Sequence, residues 1–262
     1  MGLLTGLLLL FTSGPGLPAV ALRDVPPPRE GPAFVEGAPV AGAETCEAPR
    51  DLVVLLHGMG RTSRSMAPLA RALDRAGYEV LNHGYPSRSS RVAVHGPKLV
   101  EILAREASRE DIRRIHFVGH SLGNIVIRWA LAHHGDRVDP GKIGRVVMLA
   151  PPNGGSRKAD FFEPWMSWLS RPLTDLTTAP GSTAHTIPRI DGVEIGIIAG
   201  SRDSIVRVDE TRLDEMTDHV VVPSGHTFIM RRDIVIELTR RFLATGSLGT
   251  PVETPETRAP AD

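Results

Sequence analysis

No five residues constrain what this chain can fold into more than Gly119-His120-Ser121-Leu122-Gly123. An apolar run of strand-like composition, Ile115-His116-Phe117-Val118, leads into them, and a helical pattern begins near Leu122. A serine between two glycines at a strand-to-helix junction predicts a turn so tight that the serine backbone is strained and its Oγ exposed. Side chains at the flanking positions would collide with the neighbouring strand and helix, so glycine fills both. The helix that follows would aim its first N–H groups, and the positive end of its dipole, at charge developing on a substrate oxygen. Such pentapeptides recur by chance in a glycine-rich chain, so their weight comes from context and partners.

Strand and helix signals alternate on both sides of this turn. Leu52-Val53-Val54-Leu55-Leu56 is a continuous β-rich run of the kind buried on both faces of a sheet. It ends at His57-Gly58-Met59-Gly60. Thr62 or Ser63 can cap a helix that carries Met66, Leu69, Ala70 and Leu73 and stops at Gly77. Further strands are expected at Tyr78 to Leu81, Arg145 to Leu149, Val193 to Ala199 and Val220 to Val222. Further helices are expected over Pro97 to Ala107, from Leu122 through Leu131, and over Ile234 to Phe242. This alternation predicts an α/β fold, a mostly parallel central sheet with helices on both faces. Sheets of that kind bind ligands beyond the carboxyl ends of their strands, where the candidate residues fall.

A serine hydroxyl is a poor nucleophile at neutral pH; it needs a base, and the base an orienting acid. Of the ten histidines, His226 is the candidate base. It follows the abruptly ending strand Val220-Val221-Val222-Pro223 and a Ser224-Gly225 loop, whereas His219 opens that strand, His185 has no strand before it and His134 ends a helix. Asp203 is the candidate acid, since it follows Val193 to Ala199 after a Gly200-Ser201-Arg202 turn. Asp209 competes if the loop folds back. Leu122 and Met59 are expected to supply the two backbone N–H groups of an oxyanion hole, one from the residue after the serine and one from the glycine-rich loop after the first core strand. His57 reads as structural.

Lys plus Arg and Asp plus Glu both number 30, so the 262-residue chain has no net charge that would favour nucleic acid. The length suits one domain, expected over residues 50–245. Residues 1–21 read as a signal peptide, with the apolar run Leu3 to Phe11 and an Ala19-x-Ala21 cleavage pattern. That pattern predicts export, to a periplasm or out of the cell. The lack of Lys or Arg before the apolar run leaves a membrane-anchored or cytoplasmic chain as the alternative. Residues 22–49, rich in Pro and Gly, read as a linker, and 246–262 as a disordered tail. The single cysteine, Cys46, lies in the linker as a free thiol.

Taken together, Leu55-Leu56-His57-Gly58-Met59-Gly60-Arg61-Thr62, Tyr85-Pro86-Ser87, Gly119 to Gly123, Ala150-Pro151-Pro152-Asn153-Gly154-Gly155-Ser156 and Gly225-His226-Thr227-Phe228 resemble a bacterial α/β-hydrolase of the lipase/esterase type. The resemblance spans most of Leu52 to Phe242. It implies an α/β-hydrolase fold, a triad of Ser121, Asp203 and His226, an oxyanion hole at Met59 and Leu122, and ester hydrolysis with neither metal nor organic cofactor. Asn124 stands where relatives often carry another glycine, a departure expected to affect the first helical turn behind the serine.

The segment 153–190 is expected to be a cap insertion. Phe161, Phe162, Trp165, Trp168 and Leu169 recur in it at helical spacing. They read either as a lid or acyl-pocket wall contacting an apolar acyl group, with transient contact to a lipid interface, or as a helix packed on the core; periodicity does not separate the two. The leading expectation is an esterase or lipase acting on a small-molecule ester. A thioesterase, amidase or acyltransferase would use the same residues, and a non-catalytic binding protein on the same fold is the third class.

Overall fold

The computed structural model describes residues 48–166 and 170–249, excluding the side chains of residues 165 and 166. The expected signal segment, nearly all of the linker with Cys46, Trp168, and the tail from residue 250 lie outside the described residues. The described residues form six strands: β1 (Arg50–Leu56), β2 (Glu79–His83), β3 (Ile112–His120), β4 (Ile143–Leu149), β5 (Ile195–Gly200) and β6 (Asp218–Val222). They form one sheet in the order β2-β1-β3-β4-β5-β6, and every adjacent pair is parallel. Six α-helices connect or follow them: α1 (Ala67–Asp74), α2 (Val92–Ala107), α3 (Leu122–His133), α4 (Arg157–Met166), α5 (Thr183–Thr186) and α6 (Asp233–Thr245).

Alternate side chains of a strand point to opposite faces, and here both faces are apolar. Leu52, Val54 and Leu56 of β1 join Ile115 and Phe117 of β3 in one core, beneath Leu99 and Leu103 of α2 and Ile125 of α3. Val53 and Leu55 join Val118, Val147 and Ile198 in the other, beneath Leu69 of α1 and Phe242 of α6. The continuous apolar runs thus reflect burial on two sides. Burying one such leucine or phenylalanine contributes about 1.5–3 kcal/mol, so the central strands hold the carboxyl edge rigid.

Two boundaries differ from the sequence reading for identifiable reasons. Helix α2 begins at Val92, five residues before Pro97, which sits inside it. Its first N–H, on Val92, donates to Asp175 Oδ2 at 2.8 Å. The cap therefore comes from a carboxylate 83 residues away, which local sequence does not reveal. At the other end, Gly246 closes α6 in the left-handed conformation (φ 77°). Leu248 then packs fully buried in the second core, with its N–H on Asp218 Oδ2 at 2.8 Å. The described body thus runs past residue 245.

Between β4 and β5 the chain forms α4, a 3-10 turn over Arg171–Leu176, and α5. Leu173, Leu176, Ala184 and Ile190 of this insertion belong to the core that covers α2 and α3. Asp175, fully buried, accepts from Arg91 Nε (3.0 Å) and Nη2 (2.8 Å) and from Thr183 Oγ1 (2.7 Å), besides the Val92 amide. Arg128 of α3, also buried, donates to Asn153 Oδ1 (3.3 Å) and to the Ala184 carbonyl (3.1 Å). Burial pulls the Arg128 pKa down to about 10. The insertion is thus tied to both α2 and α3 by buried polar contacts. Among the described residues no helix is long and apolar enough to cross a membrane.

Candidate active site

Ser121 sits between β3 and α3 with φ 51° and ψ −122°, a region that costs a non-glycine residue about 1–3 kcal/mol. Three hydrogen bonds hold it there. Its N–H donates to the Leu149 carbonyl at 3.0 Å, and the Asn124 side-chain amide donates to both the Ser121 and Leu149 carbonyls at 3.1 Å. Asn124 is fully buried. The departure from glycine at this position therefore fastens the serine turn to the end of β4, and the Asn124 N–H still reaches the Ser121 carbonyl at 3.0 Å in the first helical turn.

The flanking glycines are required by close approach. A Cβ on Gly123 would lie 2.6 Å from the Leu56 carbonyl oxygen, and one on Gly119 would lie 2.3 Å from Asn124 Oδ1. The serine helix thus lies directly against the end of β1, where the glycine-rich loop starts.

The structure brings the predicted serine, histidine and aspartate together. His226 Nε2 lies 3.0 Å from Ser121 Oγ, and His226 Nδ1 lies 2.7 Å from Asp203 Oδ2. Because a carboxylate only accepts, Nδ1–H donates to Asp203, and Nε2 is left as the acceptor for the serine hydroxyl. The Asp203 side chain is fully buried, and its other oxygen accepts from the Ile205 and Val206 amides at 2.8 and 2.9 Å. Asp209 lies elsewhere, paired with Arg207 and Arg157 in solvent.

His120 supports this arrangement from behind. It is buried, and its Nε2–H donates to the His226 carbonyl at 3.0 Å. Burial, with His226 and Arg61 nearby, holds its pKa well below the usual histidine range, so it is a neutral donor.

The loop after β1 is equally braced. The His57 Nδ1–H donates to the Gly58 carbonyl (3.0 Å), its Nε2 accepts from the Tyr85 amide (3.3 Å), and its ring stacks on Tyr85 at 4.4 Å. The Tyr85 hydroxyl donates to the His57 carbonyl at 2.6 Å, and the Gly60 amide donates to Ser87 Oγ at 3.0 Å. His57 is thus fully occupied in shaping its own loop. The Met59 amide donates no hydrogen bond among the described residues. The Leu122 amide, first in α3, has no intrahelical acceptor. Among the described residues neither amide donates to a side chain or to a loop carbonyl.

Ser121, His226 and Met59 line a cavity of about 240 Å³. Its walls are largely apolar, built from Pro152, Ala159, Phe162, Leu173, Leu176 and Val206. Of the four aromatic residues expected to contact substrate, Phe162 is in this wall. Phe161 is not; it is 70% exposed. Adjacent helical residues point about 100° apart, so a stripe that includes Phe162 turns Phe161 outward. Trp168 and the Trp165 side chain lie outside the described residues. The sequence reading missed Leu173, Leu176 and Val206, whose spacing carries no signal until the insertion is placed. Among the described residues no cluster of three or more His, Cys, Asp or Glu side chains is arranged to hold a metal ion.

A family model described as the alpha/beta hydrolase family matches residues 53–214. No curated protein sequence matches significantly. Among solved structures, the mature form of Bacillus licheniformis lipase BlEst2 superposes with a TM-score of 0.58 at 19% identity, covering 77% of this chain and 95% of that one. A pyrethroid hydrolase from Sphingobium faniae gives 0.51 at 16% identity, covering 74% and 98%. The ferulic acid-bound Est1E of Butyrivibrio proteoclasticus gives 0.53 at 15% identity, covering 77% and 91%. At these identities the likeness is one of fold.

Proposed function

The chain belongs to the alpha/beta hydrolase family, and from that premise we propose that it is a serine hydrolase cleaving carboxylic esters with an apolar acyl group. The observation that carries the reading is the chain of contacts Ser121 Oγ to His226 Nε2 (3.0 Å) and His226 Nδ1 to Asp203 (2.7 Å) at the base of a largely apolar cavity. A nucleophile in strained backbone at the cavity wall, a base held in the correct tautomer and a buried orienting carboxylate are what acyl transfer requires.

In the proposed reaction, Ser121 Oγ attacks the ester carbonyl carbon as its proton passes to His226 Nε2. The imidazolium keeps its Nδ1–H on Asp203. The carbonyl oxygen becomes an oxyanion facing the Met59 and Leu122 amides; each such donor contributes about 3–4 kcal/mol to the transition state. The tetrahedral species collapses with cleavage of the C–O bond, and the leaving oxygen takes the proton from Nε2. A water then gives its proton to Nε2 and adds to the acyl carbon. The second collapse returns that proton to Ser121 Oγ and releases the acid. His120, fixed on the His226 carbonyl, acts as a positioning residue for the base.

The acyl chain is assigned to the wall of Leu173, Leu176 and Phe162. Exposed Phe161, Ile205 and Phe228 support transient contact with a lipid interface. The test is a series of p-nitrophenyl esters from acetate to palmitate, with a thioester and an anilide of matched acyl group. The reading expects ester turnover abolished by Ser121→Ala. Turnover of the thioester or anilide alone would move the chain to another acyl-transfer class, and turnover of none would remove it from the enzymes.

A further inference from the structure

The cavity that holds Ser121 is lined by two cations, Arg61 and Lys158, and by no carboxylate that faces it. Arg157, next to Lys158 in sequence, is paired with Asp209 and Glu210. Arg61 and Lys158 make no ion pair among the described residues. Their contacts are to rings instead, Arg61 over Phe228 at 5.5 Å and Lys158 over Phe162 at 6.0 Å. The acid of the site, Asp203, does not offset them. Its carboxylate is fully buried and spent on His226 and two backbone amides. Two positive charges at a concave mouth, without an ion-pair partner among the described residues, attract anions.

Arg61 also has a definite side. It follows the Met59 loop, lines the same cavity as His120, His226 and Thr227, and its ring partner Phe228 stands two residues after His226. His226 Nε2 must reach the leaving oxygen to protonate it. Arg61 and His226 line the same cavity, and this neighbourhood makes the leaving-group side of the scissile bond the assignment for the Arg61 charge.

We propose that the preferred substrates are esters of an apolar acid with an alcohol or phenol that carries an anionic group, a carboxylate, phosphate or sulfate, bound by Arg61. Lys158 adds to the attracting field at the rim. The anion is not consumed; the bond cleaved is the same ester C–O bond. This deepens the esterase reading and rests on it for the identity of the neighbouring group.

The experiment compares 4-(butanoyloxy)benzoate with its neutral isostere 4-(butanoyloxy)benzamide, each rate divided by its own hydroxide-catalysed rate. A second pair, the monoanion of phenyl adipate and phenyl adipamate, places the charge on the acyl side instead. The expected result is a preference in kcat/KM of about tenfold for the anionic leaving group, the size of one partly solvated charge-assisted pair. That preference should shrink in high salt, fall to within about twofold in Arg61→Gln, and be retained in part by Arg61→Lys. Equal rates within the first pair, or a preference unmoved by Arg61→Gln, overturn the proposal. A preference confined to the adipate pair and lost in Lys158→Gln overturns the placement on the leaving-group side. A binding arm separates this failure from failure of the esterase reading: Ser121→Ala is titrated calorimetrically with hexyl sulfate and with hexan-1-ol. Tighter binding of the sulfate, abolished by adding Arg61→Gln, supports the anion site even if no ester is turned over. Equal binding, or none, overturns it.

Discussion

Replacing Gly123 with alanine tests whether the serine helix and the oxyanion loop are held by one contact. The added Cβ would meet two backbone oxygens, Leu56 at 2.6 Å and His57 at 2.9 Å. Carbon–oxygen contacts normally begin near about 3.3 Å, so the overlap is roughly 0.7 Å. Neither oxygen can withdraw alone. Leu56 is in register with His83 of β2 and Gly119 of β3, and the His57 carbonyl is clamped by the Tyr85 hydroxyl. Overpacking of this kind costs about 1–3 kcal/mol, and the better helix propensity of alanine returns up to about 1 kcal/mol. The net loss is then about 0–3 kcal/mol, a fall in Tm of no more than about 12 °C for a domain of this size. Activity should suffer more. The relief available is a shift of the loop carrying Met59, and misplacing a catalytic donor by about 1 Å costs on the order of 100-fold. The expected outcome is a 10- to 100-fold lower kcat on a short-chain p-nitrophenyl ester with a cooperative melt retained. A variant with kcat within about twofold of the parent and an unchanged Tm would refute the argument that this contact sets the loop.

Asp203→Asn should lower kcat by roughly 10⁴-fold, because the amide cannot hold the His226 tautomer, while Asp209→Asn should be silent; the reverse pattern in the same ester assay would unseat Asp203. Phe162→Ala should slow long-chain esters more than acetate by about 10-fold, the value of part of a buried ring, whereas Phe161→Ala should leave the long-chain to acetate ratio unchanged; equal effects would show that the wall is assigned wrongly. Asp175→Ala removes the acceptor for Arg91, Val92 and Thr183 and should cost about 2–4 kcal/mol in urea unfolding; a loss below about 0.5 kcal/mol would mean that the insertion is held by its apolar contacts alone. Burial holds His116 and His120 below the usual histidine range, so below pH about 6.5 the unfolded chain binds protons that the folded one refuses. Stability should therefore be flat in this respect above about pH 7 and fall as pH drops from about 6.5, by up to about 1.4 kcal/mol per unit for each such histidine; urea midpoints that do not change between pH 7 and 5 would contradict this.

The features legible in the sequence were those that local chemistry dictates. The apolar runs of β1, β3 and β4 announced a sheet buried on both faces, and the glycines around Ser121 announced its turn. Asp203 was legible because a short turn places it at the carboxyl end of β5. What stayed hidden depends on partners distant in sequence. The cap of α2 is Asp175, from the insertion. The role of Asn124 appears only when the Leu149 carbonyl stands beside it. Apolar Leu173 and Leu176 sit in an irregular turn with no period to read. Phe161 and Phe162 were indistinguishable by composition, and the orientation of α4 separates them.

The account stands on Ser121 being a nucleophile activated by His226. The direct measurement is covalent labelling with a fluorophosphonate, followed by intact mass and peptide mapping. One adduct per chain, located on Ser121, is expected. It should be lost in Ser121→Ala, which should still melt cooperatively, and its formation should be slowed by orders of magnitude in His226→Ala. An unlabelled folded protein, or an adduct on any other residue, would contradict the account.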